Sequence, residues 1–185
     1  MDKEFKPPKK LLVVVDMQND FITGSLGSDA AQDIVSNVAE KIQAWDGDII
    51  LTLDTHGDDY EETLEGILLP VRHCIDGDFG HDVDINVVIA LHQYESKGKR
   101  ARYVKKYTFG STALPEIIRN EGYDVIHIVG LCTDICVVSN ALILKAHYPN
   151  AAISVDASCC AGTNKEAHDA ALTTMESCHI TVFGK

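Results

Sequence analysis

Six short runs of aliphatic and β-branched residues, most of them separated by segments of helical period, constrain this chain more than any other feature. The runs are "LLVVVD" (11–16), "DIILTLD" (48–54), "ARYVKK" (101–106), "DVIHIVG" (124–130), "AAISVDA" (151–157) and "HITVF" (179–183). Between them, apolar residues recur at three and four over 30–45, 112–122, 133–148 and 164–177, which predicts helices. Most of the strand runs are apolar on both faces. A strand buried on both faces belongs in a parallel sheet covered by helices on each side. The expected fold is therefore α/β: a three-layer αβα, Rossmann-like arrangement with a six-stranded, mainly parallel sheet. No repeat, linker or low-complexity tract interrupts the pattern. The long irregular stretch from Gly57 to about Val83 stands apart, and loops of that length in compact domains usually carry function.

At 185 residues the chain fits one domain spanning 1–185, and a domain of that size buries roughly 70% of its unfolded surface. A formal net charge of -12 repels phosphate backbones and anionic lipid, so nucleic acid and membrane surfaces are poor partners. The apolar run near the start is five residues long and ends on Asp16, too short for a signal-peptide core, and nothing approaches a membrane helix. None of the six cysteines forms a C-x-x-C pair. They read as cytosolic thiols, most of them packed as small hydrophobes.

Open α/β sheets bind ligands beyond the carboxyl ends of their strands. Asp16, Asp54 and Lys106 end the first three strand runs, and Cys136 follows the fourth. In the common doubly wound order the first and fourth strands are neighbours, which would set Asp16 across a crevice from "LCTDIC" (131–136). A cysteine in the first turn of a helix sits at the positive end of the backbone dipole, which favours thiolate and predicts a nucleophile. An unperturbed thiol is only about 3% ionised at pH 7, so a base must assist, and Asp16 is the candidate. Burial would raise its pKa while the Lys106 ammonium would lower it. Each of these residues alone has a commonplace explanation as core filler, turn residue or solvated lysine.

A second group lies in the long loop, "DTHGDDYEETLEGILLPVRHC" (54–74). Asp54 and His56 could reach one cation from the strand end, with Glu65 and His73 closing the site. Mixed carboxylate and imidazole donors suit zinc, manganese or iron(II). A solvated acidic edge carrying two surface histidines explains the same residues equally well.

Four motifs, "VVDMQNDF", "DTH" with "TLEG" and "LPVRHC", "KYTFGS" and "GLCTDICV", occur in an order and spacing that resemble the isochorismatase-like cysteine hydrolases. Within that superfamily the chain resembles the nicotinamidase/pyrazinamidase branch. The resemblance implies a triad of Asp16, Lys106 and Cys136, with Lys106 preferred over Lys105 by its spacing to Phe109. It implies a cis peptide between Leu131 and Cys132, and an oxyanion hole formed by the amides of Cys132 and Cys136. It also implies that Asp54, His56 and His73, with Glu65 as a fourth, bind a divalent metal ion, zinc first. Asp78 replaces a common threonine and Pro70 an aromatic of some relatives; these departures bear on the substrate. Phe21 and Phe109 are candidate pocket walls.

The resulting expectation is a cytoplasmic, homo-oligomeric amidase that hydrolyses nicotinamide, or a similar small carboxamide, through a thioester intermediate. Two alternatives stand beside it. One is a hydrolase of the same superfamily acting on a ureido compound or isochorismate. The other is a non-catalytic thiol protein in which Cys132 and Cys136 form a switchable disulfide.

Overall fold

All six apolar runs join one sheet in the computed structural model, which describes residues 6–185. Residues 1–5, part of the basic start weighed as a leader, lie outside the described residues. The strands are β1 (Lys10–Val15), β2 (Asp48–Asp54), β3 (Ala101–Lys106), β4 (Val125–Leu131), β5 (Ala152–Ala161) and β6 (Thr181–Phe183). Every pairing is parallel, in the order β3-β2-β1-β4-β5-β6. The helices are α1 (Asn19–Ile22), α2 (Asp29–Asp33), α3 (Val35–Ala44), α4 (Leu64–Leu68), α5 (Ile85–Glu95), α6 (Ala113–Ile117), α7 (Val138–His147) and α8 (Lys165–Ser177). None is long and apolar enough to cross a membrane.

β1 shows why the sheet needs two covers. Leu12 and Val14 face a core with Val38 and Ile42 of α3 and Ala90 and Leu91 of α5. Leu11, Val13 and Val15 face the opposite core, with Leu114 of α6, Leu144 of α7 and Met175 of α8. Alternate side chains of a strand point to opposite faces, so an unbroken apolar run buries both. At the sheet centre, Gly130 has φ +117, and a Cβ there would lie 2.1 Å from the Val15 carbonyl oxygen. Only glycine lets β4 lie this close to β1 in that conformation.

The helices differ from the sequence reading at several points, one being that the stretch from Gly57 to about Val83, read as irregular, contains α4. The segment 30–45 is two helices, α2 and α3, divided at Ile34. The helix expected over 112–122 regains only Ala113–Ile117. Finally, α5 is a full helix that the periodicity did not mark, because its exposed Ile85 and Ile89 blur the polar face that identifies an amphipathic helix.

Candidate active site

The strand order places β1 beside β4, which makes their carboxyl ends a topological switch point. The chain turns sharply just past β1, where Asp16 has φ +48, a left-handed conformation that aspartate tolerates better than most residues. Its carboxylate is fully buried. Oδ1 accepts the Thr52 hydroxyl at 2.7 Å, and Oδ2 lies 2.7 Å from Lys106 Nζ. Lys106 Nζ also lies within reach of Asp54 Oδ1 (2.9 Å), the Thr108 carbonyl (3.2 Å) and Cys136 Sγ (3.5 Å). Asp16 Oδ2 thus has the ammonium as its charged neighbour and no hydroxyl or amide donor of the kind that Thr52 gives Oδ1.

Beyond β4 the peptide between Leu131 and Cys132 is cis. Residues Thr133–Val137 form a π-helical turn, closed by the Val137 amide on the Cys132 carbonyl at 3.0 Å, before α7 begins. Such widened turns recur at functional sites because they redirect one side chain without ending the helix. Buried Asn140 fixes the turn: its Nδ2 donates to the Cys136 carbonyl at 2.7 Å and its Oδ1 accepts the Ser111 amide at 2.9 Å. That second bond ties the Lys106 loop to the cysteine turn. Asp134 braces the far side by accepting the Thr163 amide and hydroxyl at 2.9 and 2.6 Å.

The electrostatics correct one expectation. Cys136 sits in the turn that precedes α7, and its thiol is pushed well above the usual range by burial and by Asp16 and Asp54, against the pull of Lys106. Burial therefore works against the resting thiolate that a helix dipole would favour. Burial also raises Asp16, with Lys106 opposing and Asp54 adding to the rise. Burial alone would depress Lys106, but Asp16, Cys136 and Asp54 together hold its pKa above the ordinary lysine value. The Cys132 thiol is pushed up to about 12, chiefly by burial. The resting site is thus a neutral thiol beside a fixed ammonium and a carboxylate of increased basicity.

Asp54, His56, Glu65 and His73 converge from the end of β2, the following loop, α4 and the segment after α4, with one donor atom from each within 4.8 Å of the others. Asp54 Oδ2 lies 3.1 Å from His56 Nε2 and 3.5 Å from His73 Nε2, and Glu65 Oε1 lies 3.7 and 4.0 Å from the same two nitrogens. His73 Nδ1 is 2.8 Å from the Val71 carbonyl, which fixes the proton on that nitrogen and leaves the Nε2 lone pair for the cluster. Two imidazoles and two carboxylates at this spacing fit a divalent cation. A solvated acidic edge does not describe them, since Asp54, His56 and His73 are all buried.

Both groups open on one cavity of roughly 300 Å³. Its polar lining includes Cys132, Cys136, Asp54, Glu65 and His73, with Ser28 and Thr163, and its apolar walls include Phe21, Leu26, Leu69, Phe109 and Ile135. Phe21 is nearly buried and Phe109 is 44% exposed at the mouth. The volume and the mostly apolar walls suit a small planar molecule with one polar end.

A family model described as an isochorismatase domain matches residues 10–184. The chain belongs to the isochorismatase family. One relative, from Bacillus subtilis (strain 168) and described as an uncharacterized isochorismatase family protein PncA, is 31% identical over 175 residues, covering 89% of this chain and 93% of its own. A nicotinamidase from Saccharomyces cerevisiae is 27% identical over 175 residues, covering 72% of this chain and 80% of its own. The crystal structure of the Bacillus subtilis nicotinamidase/pyrazinamidase PncA superposes with a TM-score of 0.83 at 27% identity, over 94% of this chain and 98% of that one.

In this member of the isochorismatase family Phe21, Asp54, Glu65, His73, Phe109, Cys132 and Cys136 line one cavity. Lys106, Asp16 and His56 stand behind that lining, with Lys106 Nζ 3.5 Å from Cys136 Sγ and 2.7 Å from Asp16 Oδ2, and His56 Nε2 3.1 Å from Asp54 Oδ2. Sequence reasoning missed Gln18, Thr52 and Asn140. Gln18 is buried and grips the Asp54 backbone twice, accepting its amide at 2.7 Å and donating to its carbonyl at 2.9 Å. The available signal was the polar run "QND" placed directly after a buried strand, where a solvated turn would be the ordinary reading.

Proposed function

We propose that the protein is a metal-containing cysteine amidase that converts nicotinamide, or a similar small carboxamide, to the acid and ammonia. The observation that carries this reading is the adjacency of Cys136, Lys106 and Asp16 to the carboxylate–imidazole cluster, with Asp54 belonging to both. The names of the yeast and Bacillus relatives support the substrate class.

In this reading Asp16 Oδ2, which has an unused lone pair, takes the Cys136 proton as Sγ attacks the carboxamide carbon. Because the resting thiol is neutral, proton transfer accompanies attack. The Cys132 and Cys136 amides hold the developing oxyanion. Asp16 then returns the proton to the departing nitrogen, ammonia leaves, and a thioester remains on Cys136. A water deprotonated by Asp16 attacks the thioester carbon, releasing the acid and restoring the thiol. Lys106 keeps the Asp16 carboxylate in place and offsets the charge that arises on sulfur. Phe21 and Phe109 flank the substrate ring. Asp54, His56, Glu65 and His73 would hold the ion, zinc first by its taste for mixed nitrogen and oxygen donors, and when bound it supplies a fixed positive charge that orients the ring end of the substrate. Cytoplasmic placement and self-association belong to the same proposal, supported by six free thiols and by exposed Leu64, Ile67 and Leu68.

The test is ammonia release from nicotinamide by purified protein, with Cys136→Ala as control and metal quantified in the same sample. Release that vanishes in the control, with about one ion per chain, supports the reading. No release from nicotinamide, with release from another amide or a ureide, would remove the substrate and keep the chemistry.

A further inference from the structure

We propose that Asp20 is a positioning residue for the carboxylate–imidazole cluster, acting through the backbone amide of Cys74. The inference rests on the metal reading above and identifies what holds that site in shape. Asp20 hydrogen-bonds none of the four cluster side chains. Its Oδ2 accepts the Cys74 amide at 2.7 Å.

Cys74 is the residue on which both histidines depend. It follows His73 directly, and its carbonyl accepts the His56 amide at 2.9 Å, while the His56 carbonyl accepts the Asp76 amide at 2.9 Å. Cys74 also has φ +47, a conformation that L side chains rarely adopt and that needs an external hold. A charged acceptor on its N–H supplies that hold. The other side of His73 is secured from the same short segment, where Ser25 Oγ donates to the Arg72 carbonyl at 3.0 Å and the Ser25 amide donates to Asp20 Oδ1 at 3.3 Å. Phe21, next to Asp20, sets its ring edge-on to His73 at 5.6 Å.

The surroundings are shaped to admit this carboxylate. A Cβ on Gly80 would lie 2.0 Å from Asp20 Oδ2 and 2.2 Å from its Cγ, and one on Gly24 would lie 2.4 Å from Oδ1. Gly80 does not have a left-handed backbone, so close approach to Asp20, and not conformation, excludes a side chain there. Gln18 and Asn19 hold the loop elsewhere, donating to the His81 and Phe79 carbonyls at 2.9 Å each, so Asp20 is distinguished by gripping the amide directly after His73.

Zinc affinity of the apoprotein, measured by competition with a chromophoric chelator at a temperature where every apo variant is folded by circular dichroism, tests this. Asp20→Ala should weaken zinc binding roughly 10- to 100-fold, the usual effect of losing an outer-shell support. Asp20→Asn keeps one acceptor oxygen and should recover most of the affinity. Gly80→Ala should weaken binding in the wild-type background but cause no further loss in Asp20→Ala, because the atoms it collides with are gone. A purely structural role for Asp20 would lower the apo melting temperature without this pattern. Wild-type affinity in Asp20→Ala, or additive losses in the double variant, would overturn the proposal while leaving the metal site intact. Failure of the wild-type protein to bind zinc at all would overturn both.

Discussion

Lys106 Nζ donates to Asp54 Oδ1 at 2.9 Å, and the two residues stand opposite each other in the parallel register of β2 and β3. The other oxygen of the same carboxylate faces His56 and His73. A single side chain therefore joins the ammonium beside Cys136 to the imidazole cluster, and a disturbance on either side reaches the other without crossing solvent.

Lys106→Met should expose this dependence. It would leave Asp16 and Asp54 as buried carboxylates with no cation between them, and breaking a buried pair from one side costs about 3–5 kcal/mol. Chemical denaturation should show a loss of that order, with amidase activity down roughly 100-fold or more. A variant as stable as wild type would mean that Asp16 and Asp54 are neutralised by something other than Lys106.

The pH profile carries the state of Asp16. As a base it works only when ionised, and burial raises its pKa, so the acid limb of kcat/KM should lie above the ordinary carboxylate range. Thr52 donates to the ionised form. Removing it in Thr52→Val should move the limb further up by roughly half to one pH unit, the equivalent of one lost hydrogen bond. A limb that shifts down, or stays fixed, would assign it to another group.

Chelation addresses the cluster. Dialysis against dipicolinate should abolish carboxamide hydrolysis and lower the melting temperature, because an ion bound only by the native state stabilises it. One equivalent of zinc should restore both. Full activity in demonstrably ion-free protein would leave Asp54, His56, Glu65 and His73 without a part in the reaction.

The sheet was legible because the apolar runs of β1 and β2 are buried on both faces and admit no solvent-facing alternative. The positions of Asp16, Asp54 and Lys106 followed from strand ends, where each apolar or β-branched run stops at a charged residue. The resting state of Cys136 was not legible, since the helix dipole can be read from sequence while the depth of burial that opposes it cannot. Gln18, Asp20 and Asn140 were invisible for a related reason. Each acts on the backbone of a residue 29 to 54 positions away or within its own turn, and such pairings leave no local pattern.

His127 offers a test of the fold away from the site. Its ring lies between Trp45 and Phe183, at 5.5 and 4.8 Å, and burial with nearby Lys41 lowers its pKa to about 4. In the unfolded chain the same group titrates near 6.5. Between those values only the unfolded state holds the extra proton, so stability should fall as pH drops from about 6.5 to about 4 and gain no further loss from this residue below that. The total is roughly 3 kcal/mol. His127→Phe should flatten that part of the stability curve, and an unchanged slope would contradict the buried neutral ring.

In the proposed reaction Cys136 bonds covalently to the substrate carbonyl carbon. Rapid acid quench of the protein during nicotinamide turnover, followed by intact-mass and peptide analysis, measures this directly. An acyl group is expected on Cys136, labile to hydroxylamine as a thioester is, and absent from Cys136→Ala together with ammonia release. Sustained ammonia release by Cys136→Ala, with no acylated protein at any quench time, would contradict it.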